Sequence, residues 1–277
     1  MPVHYSMDPN KDTAWKSDQR LAYESLANPQ VAWDQEMEIA FQTVSGNPVF
    51  HNYNSMIHAS QRVKYDPELP IRLFCDFNVF PMCWGVAQYA PPTVNVVDII
   101  WLTPGSVEEA CETFLDYYGD HVGEVIVYGD PSGHSRQQKD GKTHYHTMRL
   151  YFSGRNFKMA LRVPRNHYGV KDSVVSVNAM LKDKNGKSHI RVDPINAAHL
   201  KQDLAEVVWT DDGKAIKKVS NPDHPYYLRT HAAEGFRNMI HREWPMSKAL
   251  EKLEEFKPAT KPIHPKSVLA DNPWRGR

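Results

Sequence analysis

The sequence predicts an α/β protein with a mixed central sheet flanked by helices. Three observations predict it. Three β-rich runs, "PIRLFCDFN", "MCWGVAQYA" and "TVNVVDIIWLT", follow one another between residues 70 and 103 with only turn signals between them. A helical segment and a further short apolar strand, "GEVIVYGDPSG", come next. Helical and strand patterns then alternate to about residue 243, so the order opens β-β-β-α-β-α, which suits one sheet with helices packed on its faces.

Residues 1–65 are polar and carry "DPNKDTAW", a helical-looking "SDQRLAYESLANPQVAWDQEMEIAF" and the turn-rich "SGNPVFHNYN"; they read as a leading segment. Pro91-Pro92 marks the second turn of the three-strand run. Ser106 caps the first helix of the domain with Glu109 three residues on, and Val107, Ala110, Cys111, Phe114 and Leu115 form its apolar stripe. The apolar strand after it stops at Asp130. A helix over "THYHTMRLYFSG", a strand over "MALRVP", a helix over "VKDSVVSVNAMLK", a strand over "HIRVDP" and a helix over "INAAHLKQDLAEVVW" follow. The last helix is expected from about Pro225 to Glu243. Residues 247–277, with four prolines and a basic bias, read as a tail, which leaves 66–246 as the folded domain.

Composition narrows the class. Of 277 residues 41% are hydrophobic, and no apolar run reaches the roughly 18 residues of a membrane span. With no signal-peptide pattern either, a cytoplasmic protein is expected. Cys75, Cys83 and Cys111 lie in no C-x-x-C arrangement, which excludes a disulfide framework or a zinc site. The 33 basic and 33 acidic residues cancel overall, but not locally. Between His134 and Arg191 there are 13 Lys or Arg against Asp140, Asp172 and Asp183, an excess of 10 positive charges over 58 residues. So one-sided a stretch points to a polyanion partner.

Asp76 interrupts the apolar run "IRLFCDFN", where an unpaired carboxylate would be costly. A turn-capping role is the simplest alternative, since Asn78 and Pro81 follow. Asp130 has the same setting at the end of the fourth strand. If the first and fourth strands are neighbours, the two carboxylates come side by side and repel each other unless a cation lies between them; hard oxygen ligands of this kind suit Mg²⁺ or Mn²⁺. Glu234, on one helical face with His231, is the expected third acid, and Asp223 in "NPDHP" competes with it. The pair His144 and His146 lacks a third ligand at zinc spacing and reads as solvated or nucleic-acid facing.

These stretches resemble the C-terminal nuclease domain of the large terminase subunit of tailed bacteriophages, which has an RNase H/RuvC-like fold. The resemblance rests on "IRLFCDFNVFPMCWGVAQ" and "VIVYGDPSGHSRQ" for the first two acids, and on "HIRVDPINAAHLKQDLAEVVW" leading into "HAAEGFRNMIHREWP" for the third. It covers roughly 66–246, and the leading segment looks like the end of the family's ATPase domain. His231 and Glu234 occupy the family's His-x-x-Asp positions, with Glu in place of Asp.

The resemblance implies cleavage of double-stranded viral DNA during packaging, in the cytoplasm of the infected bacterial host. It also implies an ATPase domain, a small terminase subunit and a portal protein as partners. Two divalent ions about 3.5–4 Å apart would be bridged by Asp76, with Asp130 and Glu234 completing their shells and His231 orienting Glu234 or a water. His134, Arg136, Lys139, Lys142, Lys158, Arg162, Arg165 and Lys171 would grip the backbone of the DNA by charge and shape.

The chain cannot supply the motor itself through a P-loop, because Gly141-Lys142 and Gly186-Lys187 have Arg136 and Leu181 where that loop requires a further Gly. Two other readings stand beside this one: another RNase H-like nuclease of the junction-resolvase or transposase type, and a catalytically silent DNA-binding packaging domain.

Overall fold

The computed structural model describes residues 8–23, 46–136, 141–155, 157–224 and 226–245. Lys139, the tail, and residues 1–7 and 24–45 of the leading segment lie outside them. The helices are α1 Thr13–Tyr23, α2 Ser55–His58, α3 Val107–Tyr118, α4 His144–Ser153, α5 Val170–Leu181, α6 Ala198–Glu206 and α7 His231–Glu243. The strands are β1 Ile71–Phe77, β2 Met82–Ala90, β3 Thr93–Leu102, β4 Glu124–Tyr128, β5 Lys158–Leu161 and β6 Ile190–Val192. No described helix is long and apolar enough to cross a membrane.

Six strands form one mixed sheet in the order β5-β4-β1-β2-β3-β6. The meander β1-β2-β3 is antiparallel, while β4 runs parallel to β1, β5 to β4 and β6 to β3. Leaving β6 aside, this is the RNase H-like arrangement. β1 is buried on both sides, which is why its run is nearly continuous in apolar residues. Ile71, Leu73 and Cys75 join the core beneath α3 and α4, whereas Phe74 joins the core beneath α5, α6 and α7. By the same alternation Asp76 faces the α7 side.

The N-terminus of α3 forms as its sequence predicts: Ser106 Oγ accepts from the Glu109 N–H, and the Glu109 carboxylate accepts from the Ser106 N–H. Leu115 of the expected stripe is only partly buried, and Tyr118 fills that face instead. Val49, Phe50, Tyr53 and Val63, within the leading segment of the sequence reading, are buried in the two cores.

Two boundaries differ from expectation. α6 stops at Glu206, because Val208 leaves to bridge Pro48 and Trp209 to bridge Ile216. α7 begins at His231 rather than near Pro225. Tyr226–Arg229 are held in turns, and the first α7 amides are capped from another element: Asp203 Oδ2 of α6 accepts the Ala233 N–H at 3.0 Å. Thr230, just ahead of the helix, has φ 85°. A β-branched residue is strained there, so surrounding contacts must enforce that bend.

Candidate carboxylate site

Since β1 and β4 are parallel neighbours, Asp76 near the end of β1 and Asp130 two residues beyond β4 reach the same edge of the sheet. α7 crosses β1 and β2 at this edge. Its first turns are small, Ala232, Ala233 and Gly235, and the approach is close: a Cβ on Gly235 would lie 3.1 Å from the Phe74 ring and 3.4 Å from the Cys75 carbonyl carbon. Helix and strand therefore bring His231 and Asp76 into contact, with Nδ1 to Oδ2 at 2.8 Å. Asn78 Nδ2 donates to the same oxygen at 2.8 Å. The Asp76 side chain is 12% exposed. Burial, reinforced by the negative charge of Glu234, raises its carboxyl above the ordinary range despite the hydrogen bonds from His231 and Asn78.

Asp130 caps the 3₁₀ turn Pro131–His134, with Oδ1 accepting the Ser132 N–H at 2.7 Å. Its Oδ2 meets Nδ1 of His167 at 2.8 Å. Gly129 and Gly133 let this loop lie against the Tyr145 and Phe77 rings, where an added Cβ would come within 2.5–3.1 Å of them. Glu234 points to Lys218 (Oε2 to Nζ, 3.1 Å) and to Arg237 (Oε1 to Nη2, 3.4 Å). His231 is therefore seated against Asp76, not Glu234, and against the edge of the Trp101 ring. Asp223 lies in an exposed turn capped by Asn221, whose Oδ1 accepts the Asp223 N–H; no hydrogen bond to its own carboxylate is seen among the described residues. His144 is half-buried and stacks on Phe77 at 4.7 Å, while His146 is exposed.

Four residues here escaped the sequence reading. Asn78 and Arg237 sit at short spacing from Asp76 and Glu234, and that spacing was the available signal. His167 and Asp203 carry none, since only the fold brings them in. Arg237 is buried, donates to Ser173 Oγ at 2.6 Å, and feels the charges of Glu234, Asp130 and Asp76 together. Its desolvation by burial outweighs them and lowers its pKa.

Asp203 is fully buried and its carboxyl is pushed up to about 7 by that burial, against the pull of the Ala233 amide and of Arg229. An acid whose folded pKa is raised stabilises the fold while protonated. That contribution is full below the unfolded value near 4 and is lost as pH rises through about 7. Wild type is thus expected to lose stability relative to Asp203→Asn between pH 4 and pH 8. Denaturant melts of the two proteins at several pH values check this; parallel profiles would remove the titration.

Of the basic residues, His134, Arg136, Lys142, Arg165 and Lys171 are exposed. His134, Arg136 and Arg165 flank Asp130 and His167 in the chain, Lys142 precedes α4 and Lys171 lies in the first turn of α5. Lys158 pairs in register with Glu124 at the start of β4, the sheet end opposite Asp130. Arg162 is engaged by Glu243 at the far end of α7 from His231.

The donor set, two aspartates and a glutamate, has the hard-oxygen chemistry of a Mg²⁺ or Mn²⁺ site, and Asp76 Oδ1 takes no hydrogen bond among the described residues. Among the described residues, however, no three His, Cys, Asp or Glu are gathered closely enough to enclose one ion.

The fold thus defines an α/β domain of RNase H-like topology in which Asp76 and Asp130 lie at the same end of two parallel strands. No protein-family model and no curated protein matches the sequence. Among solved structures the chain is similar to the P22 large terminase nuclease domain, at 12% identity and TM-score 0.49, over 75% of this chain and 98% of that one. It is similar to the large terminase nuclease domain from bacteriophage SPP1 with bound Mn, at 14% identity and TM-score 0.40, over 70% and 98%. The large terminase from a thermophilic bacteriophage matches at 15% identity and TM-score 0.49, over 72% of this chain and 45% of that one. The chain thus spans about half the length of that terminase. At these identities and scores the chemistry has to be argued from the residues themselves.

Proposed function

We propose that the chain is a metal-dependent DNA endonuclease that serves viral genome packaging as the nuclease part of a large terminase. The observation that supports it most is the parallel pairing of β1 with β4, which carries Asp76 and Asp130 to one sheet edge beside α7. Asp76, Asp130 and Glu234, with Asp223 as the alternative third acid, would hold the two Mg²⁺ or Mn²⁺ ions, whose chemistry is to activate water and to neutralise the leaving oxygen.

The chain's own residues prepare that site. His231 and Asn78 fix Asp76 through Oδ2 and leave Oδ1 as its unengaged oxygen. The Ser132 amide fixes Asp130 through Oδ1, while His167 on Oδ2 is 70% exposed and free to swing away. Arg237 holds Glu234 and spreads positive charge among the three acids before anything binds. His134, Arg136, Lys142, Arg165 and Lys171, with Lys139, would contact phosphates, whereas Lys158 and Arg162 are poorly placed to do so. In this role the chain would act on double-stranded DNA in the infected cell, together with an ATPase domain, a small subunit and a portal.

The test is cleavage of supercoiled plasmid by the purified chain. Nicking or linearisation with Mn²⁺ or Mg²⁺ and none in EDTA is expected; equal cleavage in chelator would sink the metal reading. DNA affinity measured in Ca²⁺ should fall steeply with salt, with a log–log slope of about −0.9 per phosphate neutralised. Charge reversal at Arg136, Lys142 and Arg165 should flatten that slope, and a slope near zero in wild type would remove DNA from the account.

A further inference from the structure

Arg237 also lines a cavity of about 320 Å³. The cavity lies between α7, the start of α5, and the hairpin in which Trp209 bridges Ile216. Its apolar lining includes Val207, Ile216 and Phe50. Lys214, Lys218 and Arg237 line it as well, with Glu234 as the one acid of the lining, while Lys214 also lies 3.7 Å from Asp212.

Glu234 pairs with Lys218 but holds Arg237 only loosely. Its Oε2 binds Lys218 at 3.1 Å, and its contact with Arg237 is long, at 3.4 Å. Arg237 is 7% exposed. A guanidinium that deep needs short, charge-assisted bonds to offset its desolvation, and among the described residues its one short bond is to the neutral Ser173 hydroxyl. An anion entering the cavity would meet it.

The volume lies at the small end of the roughly 300–1,000 Å³ range of small-molecule sites. It admits a single nucleotide and excludes a duplex. Apolar residues and a cluster of cations lining one cavity are the combination that a base with its phosphate requires. Glu234 lines this cavity and adds its charge to Asp76, so a nucleotide seated here would lie beside the carboxylate site.

We infer that the cavity takes one nucleotide of a bound DNA strand, its base against Val207 and Ile216 and its phosphate on Arg237, Lys218 and Lys214. The strand as its source rests on the nuclease reading; the cavity's chemistry does not. Seating one unit here would set the register of the strand relative to Asp76 and Asp130.

The test is calorimetric titration of the full chain, in EDTA, with thymidine monophosphate, with thymidine and with inorganic phosphate. Saturable binding of the monophosphate is expected, at least tenfold tighter than either fragment. Ala215 is exposed at the cavity mouth, so Ala215→Trp should block the cavity without unfolding the chain; it should weaken the monophosphate at least tenfold at an unchanged melting temperature, as should Lys214→Ala with Lys218→Ala. Equal affinity in wild type and Ala215→Trp, or phosphate binding as tightly as the monophosphate, overturns the inference. A chain that cuts DNA yet shows no saturable monophosphate binding loses this inference alone. One that binds the monophosphate through the cavity but neither binds nor cuts DNA overturns the strand as source, and the nuclease reading with it.

Discussion

Asp76→Ala is expected to abolish DNA cleavage while leaving the melting temperature level or higher. The carboxylate is mostly buried on the α7 face of β1, where desolvation and Glu234 both disfavour its charge. The bonds from His231 and Asn78 offset part of that cost. Alanine removes the buried charge, and both former partners, Asn78 exposed and His231 partly buried, can turn to water. The sign of the pH effect is the same as for Asp203: a raised acid contributes less stability as pH rises above the ordinary carboxylate range, so the gain on removing Asp76 should be larger at neutral pH than below about pH 4.

Asp130 calls for a different variant. It caps the turn at Pro131–His134, and losing a cap costs about 1 kcal/mol, so Asp130→Asn is the cleaner test of its charge. Cleavage rates, DNA affinity in Ca²⁺ and thermal melts on each variant check the expectation. A clear fall in melting temperature for Asp76→Ala, with cleavage and DNA affinity lost in proportion, would make that aspartate structural.

Glu234→Gln should cost orders of magnitude in cleavage, whereas Asp223→Asn should leave it nearly unchanged. Glu234 stands on α7 within electrostatic reach of Asp76 and is 28% exposed. Glutamine keeps its length and one acceptor for Arg237 while removing the charge. Asp223 is exposed in a turn organised by Asn221, and its substitution should cost no more than a fraction of the roughly 1 kcal/mol of a capping residue. Because Glu234 also neutralises Lys218 and Arg237, its variant should melt somewhat lower; activity lost beyond that change in folded fraction is the decisive reading. If Asp223→Asn silences the enzyme and Glu234→Gln does not, the third acid has been misassigned.

Much of this molecule was legible in the chain. The three leading strands, the Ser106 capping box and the short strand before Asp130 all announce themselves locally, through apolar runs, turn residues and cap spacing, since those signals act over a few residues. Asp76 and Asp130 stood out for the same reason, as charges set against apolar strands. The ends of α6 and the start of α7 were not legible. What stops α6 is a bridge from Val208 to Pro48, and what starts α7 is a carboxylate 30 residues earlier in the chain.

The sequence by itself determined the α/β class and the succession of strands along the chain, and singled out Asp76 and Asp130 as candidates, because each follows from periodicity and from the cost of burying a charge. Only the tertiary structure decided that His231 binds Asp76, that His167 reaches Asp130 and that Arg237 lies buried among the acids. It also placed Lys158 at the sheet end opposite Asp130 and engaged Arg162 with Glu243. Those outcomes depend on which strands are neighbours, on how closely Gly235 lets α7 approach β1, and on the bend at Thr230. All of these are set by packing between segments far apart in the chain, which local spacing does not encode.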